Sequence, residues 1–271
     1  LNQTAFDGDR VMISYGSSED VVSKLKENGF EVYEIGWDGW GRPLTGSNEL
    51  ITHSGLVNPE NAHRLVHNLR FFHIWHLLSQ FEKEGRKYDR LITTDVRDVM
   101  FQGNPSDWLD ANQEKPIIAP GESVMYRDES WNLNNFVTTF GNLLWEYLGK
   151  DIQVCNVGTI AGNVDEIKDM CYMIYSLAVG NGHGDQPAFN ILANTSYKDR
   201  VQFVGTDDYW ACQTGTLVEN YDKLKSVLLD KPPYMGMDGL VRNSKDDIFC
   251  LVHQYERIPE WNEIIEKKYP L

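Results

Sequence analysis

Two aspartates lie where an apolar stretch gives way to polar residues. Residues 91–102 have the sequence LITTDVRDVMFQ, in which the apolar entry predicts a buried strand and Asp95 and Asp98 follow its polar end. Open α/β sheets bind ligands at the carboxyl ends of their strands. Two carboxylates there predict a site for Mn²⁺ or Mg²⁺, which take oxygen ligands and complete their shells with water and substrate phosphates. The alternative is a capped strand-to-turn junction in which Arg97 pairs with an aspartate.

Cationic and hydroxyl groups near this strand are candidates for nucleotide binding. Arg70 lies on a helix predicted just before the acidic strand, so it can reach a phosphate held at the strand end. A solvated surface position is the alternative for Arg70. Ser14 and Tyr15 end the first predicted strand, at the sheet edge where ligands bind. We therefore expect Ser14, Tyr15, Arg70 and Arg97 to contribute to the binding of a nucleotide.

Further polar groups lie on later predicted strands. The predicted strand at 153–160 is interrupted by Asn156 and Gly158, and glycine in a strand permits close approach of a ligand or backbone. The last apolar strand, within 248–261, ends in His253.

An aspartate–glutamine pair precedes a short apolar helix predicted over 188–192. Gly180, Gly182 and Gly184 allow the backbone to bend sharply, so that Asp185 and Gln186 can be aimed inward. The alternative for Asp185 is the N-cap of the helix, since Pro187 suits a first helical turn.

The elements around these residues predict an α/β fold. A strand at 10–15, a helix ending near Gly29 and a strand at 30–35 form a β-α-β opening. Neither G-x-G-x-x-G nor G-x-x-x-x-G-K-[ST] follows the first strand, which argues against a Rossmann dinucleotide site and a P-loop. A further strand is predicted at 115–120. No repeat, low-complexity run or linker divides the chain, so residues 1–271 are predicted to form one domain.

Composition excludes several classes of partner. The chain has 25 basic and 40 acidic residues and a net charge of −15, which argues against nucleic acid polymers and anionic membrane surfaces. No apolar run of membrane-spanning length and no signal-peptide pattern occurs. Four widely spaced cysteines without a C-x-x-C pattern predict buried free thiols. A cytoplasmic location is favoured; since the first residue is Leu, a luminal catalytic domain of an anchored enzyme is the alternative.

The motifs in chain order resemble a known family. They are the D-V-R-D of 95–98, the N-V-G of 156–158, the D-Q of 185–186 and the H-Q-Y-E-R-I-P-E-W of 253–261. Together, from Val11 to Trp261, they resemble GT-A-fold glycosyltransferases that use nucleotide-diphospho-sugars, with a layout nearest to the glycogenin-like enzymes. The resemblance implies a GT-A-like, Rossmann-type mixed sheet flanked by helices.

The resemblance also implies a metal and its ligands. In that family a D-x-D and a late histidine bind Mn²⁺, which holds the donor diphosphate, so it assigns Asp95, Asp98 and His253 to the metal. The chain departs from the family by having D-x-x-D. It also has Glu256 where the family's H-x-x-G-x-x-K-P-W ending has Gly, and it lacks the phosphate-binding Lys, for which Arg257 is the candidate substitute.

The remaining motifs imply residues at the donor sugar and the acceptor. Asn156 and Gly158 correspond to the family's N-S-G, and Asp185 and Gln186 to its D-Q. The implied reaction moves a sugar from a nucleotide-sugar donor to a glycan or protein-linked sugar. In an inverting enzyme Asp185 would be the catalytic base, whereas in a retaining enzyme it would only position the sugar.

Two other functions stay open. A sugar nucleotidyltransferase shares a similar sheet, although it usually carries a cation in the loop after the first strand, where Tyr15-Gly16-Ser17-Ser18 has none. A non-catalytic sugar- or protein-binding domain with a structural aspartate pair is the other. A D-x-D-x-T phosphatase is disfavoured, because its nucleophilic aspartate would occupy the place of Ser14 or Tyr15.

Overall fold

The chain folds into a mixed α/β structure. The computed structural model describes residues 4–35, 66–178, 183–218, 229 and 231–269. Its strands are β1 Arg10–Ser14, β2 Phe30–Glu34, β3 Arg90–Thr94, β4 Val99–Phe101, β5 Ile117–Met125, β6 Gln153–Cys155, β7 Thr159–Asn163, β8 Val201–Val204, β9 Ala211–Gln213, β10 Tyr234–Met235, β11 Val241–Arg242 and β12 Leu251–His253. Its helices are α1 Glu19–Glu27, α2 Val66–Lys83, α3 Pro105–Asn112, α4 Ser130–Tyr147, α5 Val164–Leu177, α6 Asp185–Asn194, α7 Thr214–Leu217 and α8 Pro259–Lys268.

The strands are distributed over several sheets. Within the described ranges, β3, β7, β5 and β6 lie side by side in this order, and β8 joins them through β5. A second sheet has the order β4-β12-β9, while β1 pairs in parallel with β2 and β10 pairs with β11. The first sheet is mixed, because β5 pairs antiparallel with β6 and β7 and parallel with β8. The expected mixture of strand directions is present, and the expected β-α-β opening forms its own two-stranded pair.

The observed helices and strands differ from the predicted ones mainly in where they begin and end. The strand predicted at 115–120 continues to Met125, because its second half pairs with β6. The helix predicted at 188–192 begins at Asp185 and ends at Asn194. The helix predicted before the acidic strand is α2, and residues 36–65, which precede it, lie outside the described residues.

Apolar packing holds the helices against the first sheet. One cluster joins α2, α5 and α6 to β5 and β7 through side chains that are almost fully buried, among them Phe71, Ile117, Ile174 and Phe189. A second cluster contains side chains from both of the two larger sheets, and its members Trp210 and Leu251 are fully buried. The four cysteines are buried free thiols, as predicted. This packing fixes the strand ends from which the site is built.

Candidate metal centre

Strand pairing brings the two aspartates and the histidine together. Asp95 follows β3, and its backbone N–H donates to the carbonyl of Gly158 at 2.9 Å, just before β7. Asp98 precedes β4, and β12 runs antiparallel to β4 with His253 opposite Val99. The N–H of Gln254 donates to the carbonyl of Asp98 at 2.7 Å. The register of these two pairings therefore places His253 beside both aspartates.

The three side chains form a group with metal-ligand spacing. The Nε2 atom of His253 lies 3.4 Å from Oδ2 of Asp95 and 3.6 Å from Oδ2 of Asp98. His253 is 2% exposed, and among the described residues its Nε2 atom has no hydrogen-bond partner. A buried polar atom without a hydrogen-bond partner destabilises the folded state, unless a bound group supplies the missing interaction. Two carboxylates and an imidazole nitrogen form a set of ligands that could hold a divalent metal ion.

The electrostatics of Asp98 favour its ionised form. Burial raises the pKa of the Asp98 carboxyl, but its interactions with His253 and the charge of Arg97 outweigh burial, so the pKa lies below its ordinary value. Arg97 itself is exposed. It acts on the site through its charge, and the expected contact between Arg97 and a donor stays a prediction.

Arg70 connects the metal group to Asp185. Its Nη1 atom donates to Oδ1 of Asp95, and its Nη2 atom donates to Oδ2 of Asp185 at 3.1 Å. The side chain of Asp185 is 8% exposed. The N-cap of α6 is Gly184 rather than Asp185, so the interpretation of Asp185 as a helix cap is wrong. The carboxylate is instead directed at the guanidinium, because the backbone turns into α6 one residue earlier.

Gly158 lies in direct contact with the metal group. A Cβ atom at this position would lie 2.6 Å from Cε1 of His253 and 2.9 Å from Oδ2 of Asp95. No side chain fits there without displacing His253 or Asp95. The glycine in the N-V-G motif is therefore required by the close approach of β3, β7 and β12, as the interruption of this strand in the sequence indicated.

Asn156 and Gln186 are joined by a residue that the sequence analysis missed. The amide nitrogens of both side chains donate to Oε1 of Glu122, at 2.9 and 3.3 Å respectively. The Asn156 Oδ1 atom accepts from the N–H of Gly158 at 2.6 Å. In the sequence, Glu122 is marked only as a single acidic residue after an apolar stretch. Its role depends on partners that are distant in sequence, so no local pattern indicates it.

Gln213 was missed as well. Its Oε1 atom accepts a hydrogen bond from Nδ1 of His253 at 2.7 Å, while its Nε2 atom donates to the Thr159 hydroxyl at 3.1 Å. It ends β9, the parallel neighbour of β12, and is fully buried. In the sequence, Gln213 is marked only by its position as a polar residue at the end of a short apolar stretch.

The remaining predicted donor-binding residues lie farther from the metal group. Ser14 is buried and donates its hydroxyl hydrogen to Ser17, and no described contact joins it to the aspartates. The hydroxyl of Tyr15 lies 2.7 Å from Nδ1 of His73. Burial raises the pKa of Tyr15, while the nearby charge of Arg70 opposes this effect.

Arg257 lies over the start of α7. Its Nη1 atom is 3.1 Å from the point where a Cβ atom of Gly215 would lie, and the residue is exposed. The hydroxyl of Thr216, on the same helix, donates to Oε2 of Glu122 at 2.6 Å. No described contact joins Arg257 to Asp95, Asp98 or His253, and its expected contact with a donor stays a prediction.

Within the described ranges, none of the helices combines the length and the apolar character needed to cross a membrane. Neither a protein-family model nor a curated protein matches this chain.

Proposed function

We propose that this chain is a metal-dependent glycosyltransferase of the GT-A type, which moves a sugar from a nucleotide-diphospho-sugar to a hydroxyl of a glycan or protein-linked acceptor. The observation that carries this proposal is the buried Nε2 atom of His253, which has no hydrogen-bond partner in the described part of the chain and faces the carboxylates of Asp95 and Asp98. A divalent cation satisfies all three groups at once. Neutral imidazole and carboxylate are common ligands of such ions.

The charges in the cleft support a role for the metal in binding a diphosphate. Asp95 and Asp185 both pair with the guanidinium of Arg70, and the carboxylate of Asp98 lies beside His253 under the charge of Arg97. Three carboxylates and two guanidinium groups leave an excess of negative charge. A diphosphate would be repelled by this excess unless a cation compensated it. When bound, the metal would supply Lewis-acid stabilisation of the negative charge that the leaving diphosphate accumulates.

Arg70 is suited to bind the leaving group as well. Each nitrogen of its guanidinium donates one hydrogen bond, Nε to the carbonyl of His67 and the terminal nitrogens to Asp95 and Asp185. Each terminal nitrogen carries a second N–H. These N–H groups can donate to phosphate oxygens while the guanidinium stays in place.

Asp185 is the candidate base for the acceptor. In an inverting reaction its carboxylate would take the proton of the acceptor hydroxyl while that oxygen bonds to the anomeric carbon and the bond from this carbon to the diphosphate oxygen breaks. In a retaining reaction it would orient the sugar. Its contact with Arg70 supports either role, because it places the carboxylate next to the group proposed to bind the diphosphate.

Release of nucleotide from a panel of UDP- and GDP-sugars tests the proposal. We expect slow, Mn²⁺-dependent hydrolysis of at least one donor, which EDTA abolishes and which the Asp98→Asn variant lacks. Release of pyrophosphate from a nucleoside triphosphate and a sugar 1-phosphate would instead identify a nucleotidyltransferase. Binding of sugars without release of nucleotide would identify a non-catalytic sugar-binding domain.

A further inference from the structure

Glu122 is a buried carboxylate that accepts hydrogen bonds only from neutral groups. It is 4% exposed, and within the described residues no lysine, arginine or histidine pairs with it. Its Oε1 atom accepts from Asn156 and Gln186, and its Oε2 atom accepts from the hydroxyl of Thr216. Removing a charge from water is unfavourable, so such a residue needs a full set of partners.

The backbone around Glu122 departs from a regular strand. The pairing of β5 with β6 shifts in register between Gly121 and Met125, and Ser123 adopts a left-handed conformation with φ 51°. Bulges of this kind turn a side chain away from its regular direction and are frequent beside functional sites. A serine in this region of φ and ψ is strained, which is tolerated where the surroundings determine the conformation.

The carboxylate determines how two amide side chains are turned. Since carboxylate oxygens only accept hydrogen bonds, Asn156 and Gln186 must direct their NH₂ groups at Glu122. The second hydrogen of the Gln186 amide goes to Oδ1 of Asn132 at 2.6 Å. The Nδ2 atom of Asn132 in turn donates to Glu129 at 2.8 Å, which fixes the orientation of that amide. Gln186 is therefore left with its Oε1 atom to offer to a ligand.

The Glu122 carboxylate is also connected to the backbone beside Asp95. With its NH₂ group directed at Glu122, Asn156 turns its Oδ1 atom to the N–H of Gly158. The carbonyl of Gly158 accepts from the N–H of Asp95. A continuous series of hydrogen bonds thus connects Glu122 to the backbone of a metal ligand.

We propose that Glu122 is a positioning residue that sets the hydrogen-bonding polarity of the sugar pocket. It holds Gln186 as a pure acceptor, so that the ligand group at this position is a hydroxyl that donates its hydrogen. It also holds the turn at Gly158 against Asp95. This inference rests on the proposed transferase function for its ligand, and on the hydrogen bonds alone for the orientation of the amides.

Two substitutions of Glu122 distinguish a positioning role of its side chain from a role of its negative charge. Glu122→Gln can keep its carbonyl oxygen towards both amides and turn its NH₂ group to the hydroxyl of Thr216, so it should preserve the arrangement. Glu122→Met has a similar length and no comparable acceptor, so it should release both amides. Glu166→Gln is the matched control, because Glu166 pairs with Arg200 at the far end of β7, beyond Asn163.

The first measurement needs no ligand. In spectra of protein with ¹⁵N-labelled side-chain amides, the NH₂ hydrogens of Asn156 and Gln186 should exchange slowly with water in the wild type and in Glu122→Gln. They should exchange at least about tenfold faster in Glu122→Met, because the protecting bonds are lost. Fast exchange of both amides in the wild type would overturn the inference, even if Glu122→Met did not fold.

The second measurement uses the UDP- and GDP-sugar panel with Mn²⁺. Glu122→Gln and Glu166→Gln should hydrolyse the preferred donor within about threefold of the wild-type kcat/KM, and Glu122→Met should lose about 10²-fold, as expected when a reacting group is misplaced. Equal loss in Glu122→Gln and Glu122→Met would overturn the inference in favour of a role for the charge. If the wild type hydrolyses no donor, the proposed function fails, while the exchange measurement still decides the orientation of the amides.

Discussion

His253 donates its Nδ1–H to Oε1 of Gln213 across 2.7 Å. The Nε2 atom of Gln213 in turn donates to the hydroxyl of Thr159 at 3.1 Å. In the neutral imidazole the hydrogen therefore lies on Nδ1, and the lone pair of Nε2 is directed towards Asp95 and Asp98. This is the tautomer that a metal ion requires.

We expect Gln213→Leu to weaken Mn²⁺ binding about 10- to 100-fold, because the imidazole loses the partner that orients it. Isothermal titration with Mn²⁺ alone measures the effect. The control is Gln80→Leu, which removes a glutamine that lies 3.1 Å from His76 on α2. Equal affinity in wild type and Gln213→Leu would exclude a role for Gln213 at the metal.

Asp98→Asn should abolish metal-dependent nucleotide binding and leave the fold intact. The amide lacks the negative charge that the cation needs, while its size is unchanged. Calorimetry with UDP and GDP, with and without Mn²⁺, tests this. Asp110→Asn is the matched control, because Asp110 is an exposed partner of Arg90 at the opposite end of β3. If Asp98→Asn binds nucleotide and metal normally, the aspartate pair has a structural role.

Gly158→Ala should weaken Mn²⁺ binding and lower stability. The new methyl group would lie 2.6 Å from the ring of His253, so the histidine or the backbone must move. Overpacking of this kind typically costs about 1–3 kcal/mol. Gly103→Ala is the control, because the nearest atom to a new Cβ there is 3.8 Å away. Normal metal affinity and melting temperature in Gly158→Ala would contradict the close approach of the three strands.

Asp185→Asn should lower the turnover of the donor by about 10²-fold or more with little change in melting temperature. The carboxylate does not cap α6, so the substitution removes no cap. Asn104→Ala is the contrasting variant, since the Asn104 side chain caps α3 by accepting from the N–H of Ser106 at 3.1 Å. It should cost about 1 kcal/mol of stability at normal turnover. An Asp185→Asn variant that melts early and turns over normally would exclude the functional role.

Because the four cysteines are buried, we expect the protein to lose stability at alkaline pH. Burial raises the pKa of Cys171 and Cys250 to about 12, and it raises the pKa of Cys155 and Cys212 further. In the unfolded chain the pKa of each thiol is about 8.5. Above that pH the unfolded state holds fewer protons than the folded state, so the free energy of unfolding falls as the pH rises towards the folded-state pKa values.

Urea titrations between pH 8 and pH 10 test this sign. Replacement of Cys212 by Ala should reduce the slope of stability against pH, and none of the thiols should react with a thiol reagent in the native protein at pH 8. Rapid reaction of one thiol at that pH would show that its cysteine is accessible.

Local patterns in the sequence were sufficient for the first elements of the fold. The β-α-β opening is found as β1, α1 and β2, because the alternation of apolar residues and the glycine after the helix act over a few residues. The aspartate pair was recognisable for a similar reason, since two carboxylates after an apolar strand form a local signal. The predicted strand at 115–120 ended too early, because the second half of β5 pairs with β6, which lies about 30 residues later in the chain.

The sequence by itself determined the types of groups available: two aspartates, a late histidine, an arginine before the acidic strand, and an aspartate–glutamine pair. Only the tertiary structure decided which of them meet. His253 reaches Asp98 because β12 pairs antiparallel with β4 in one register, and a shift of one residue would turn its side chain to the other face. Glu122 and Gln213 gained their importance in the same way, since the hydrogen bonds that define them join strands and helices far apart in sequence, and no local periodicity reports such contacts.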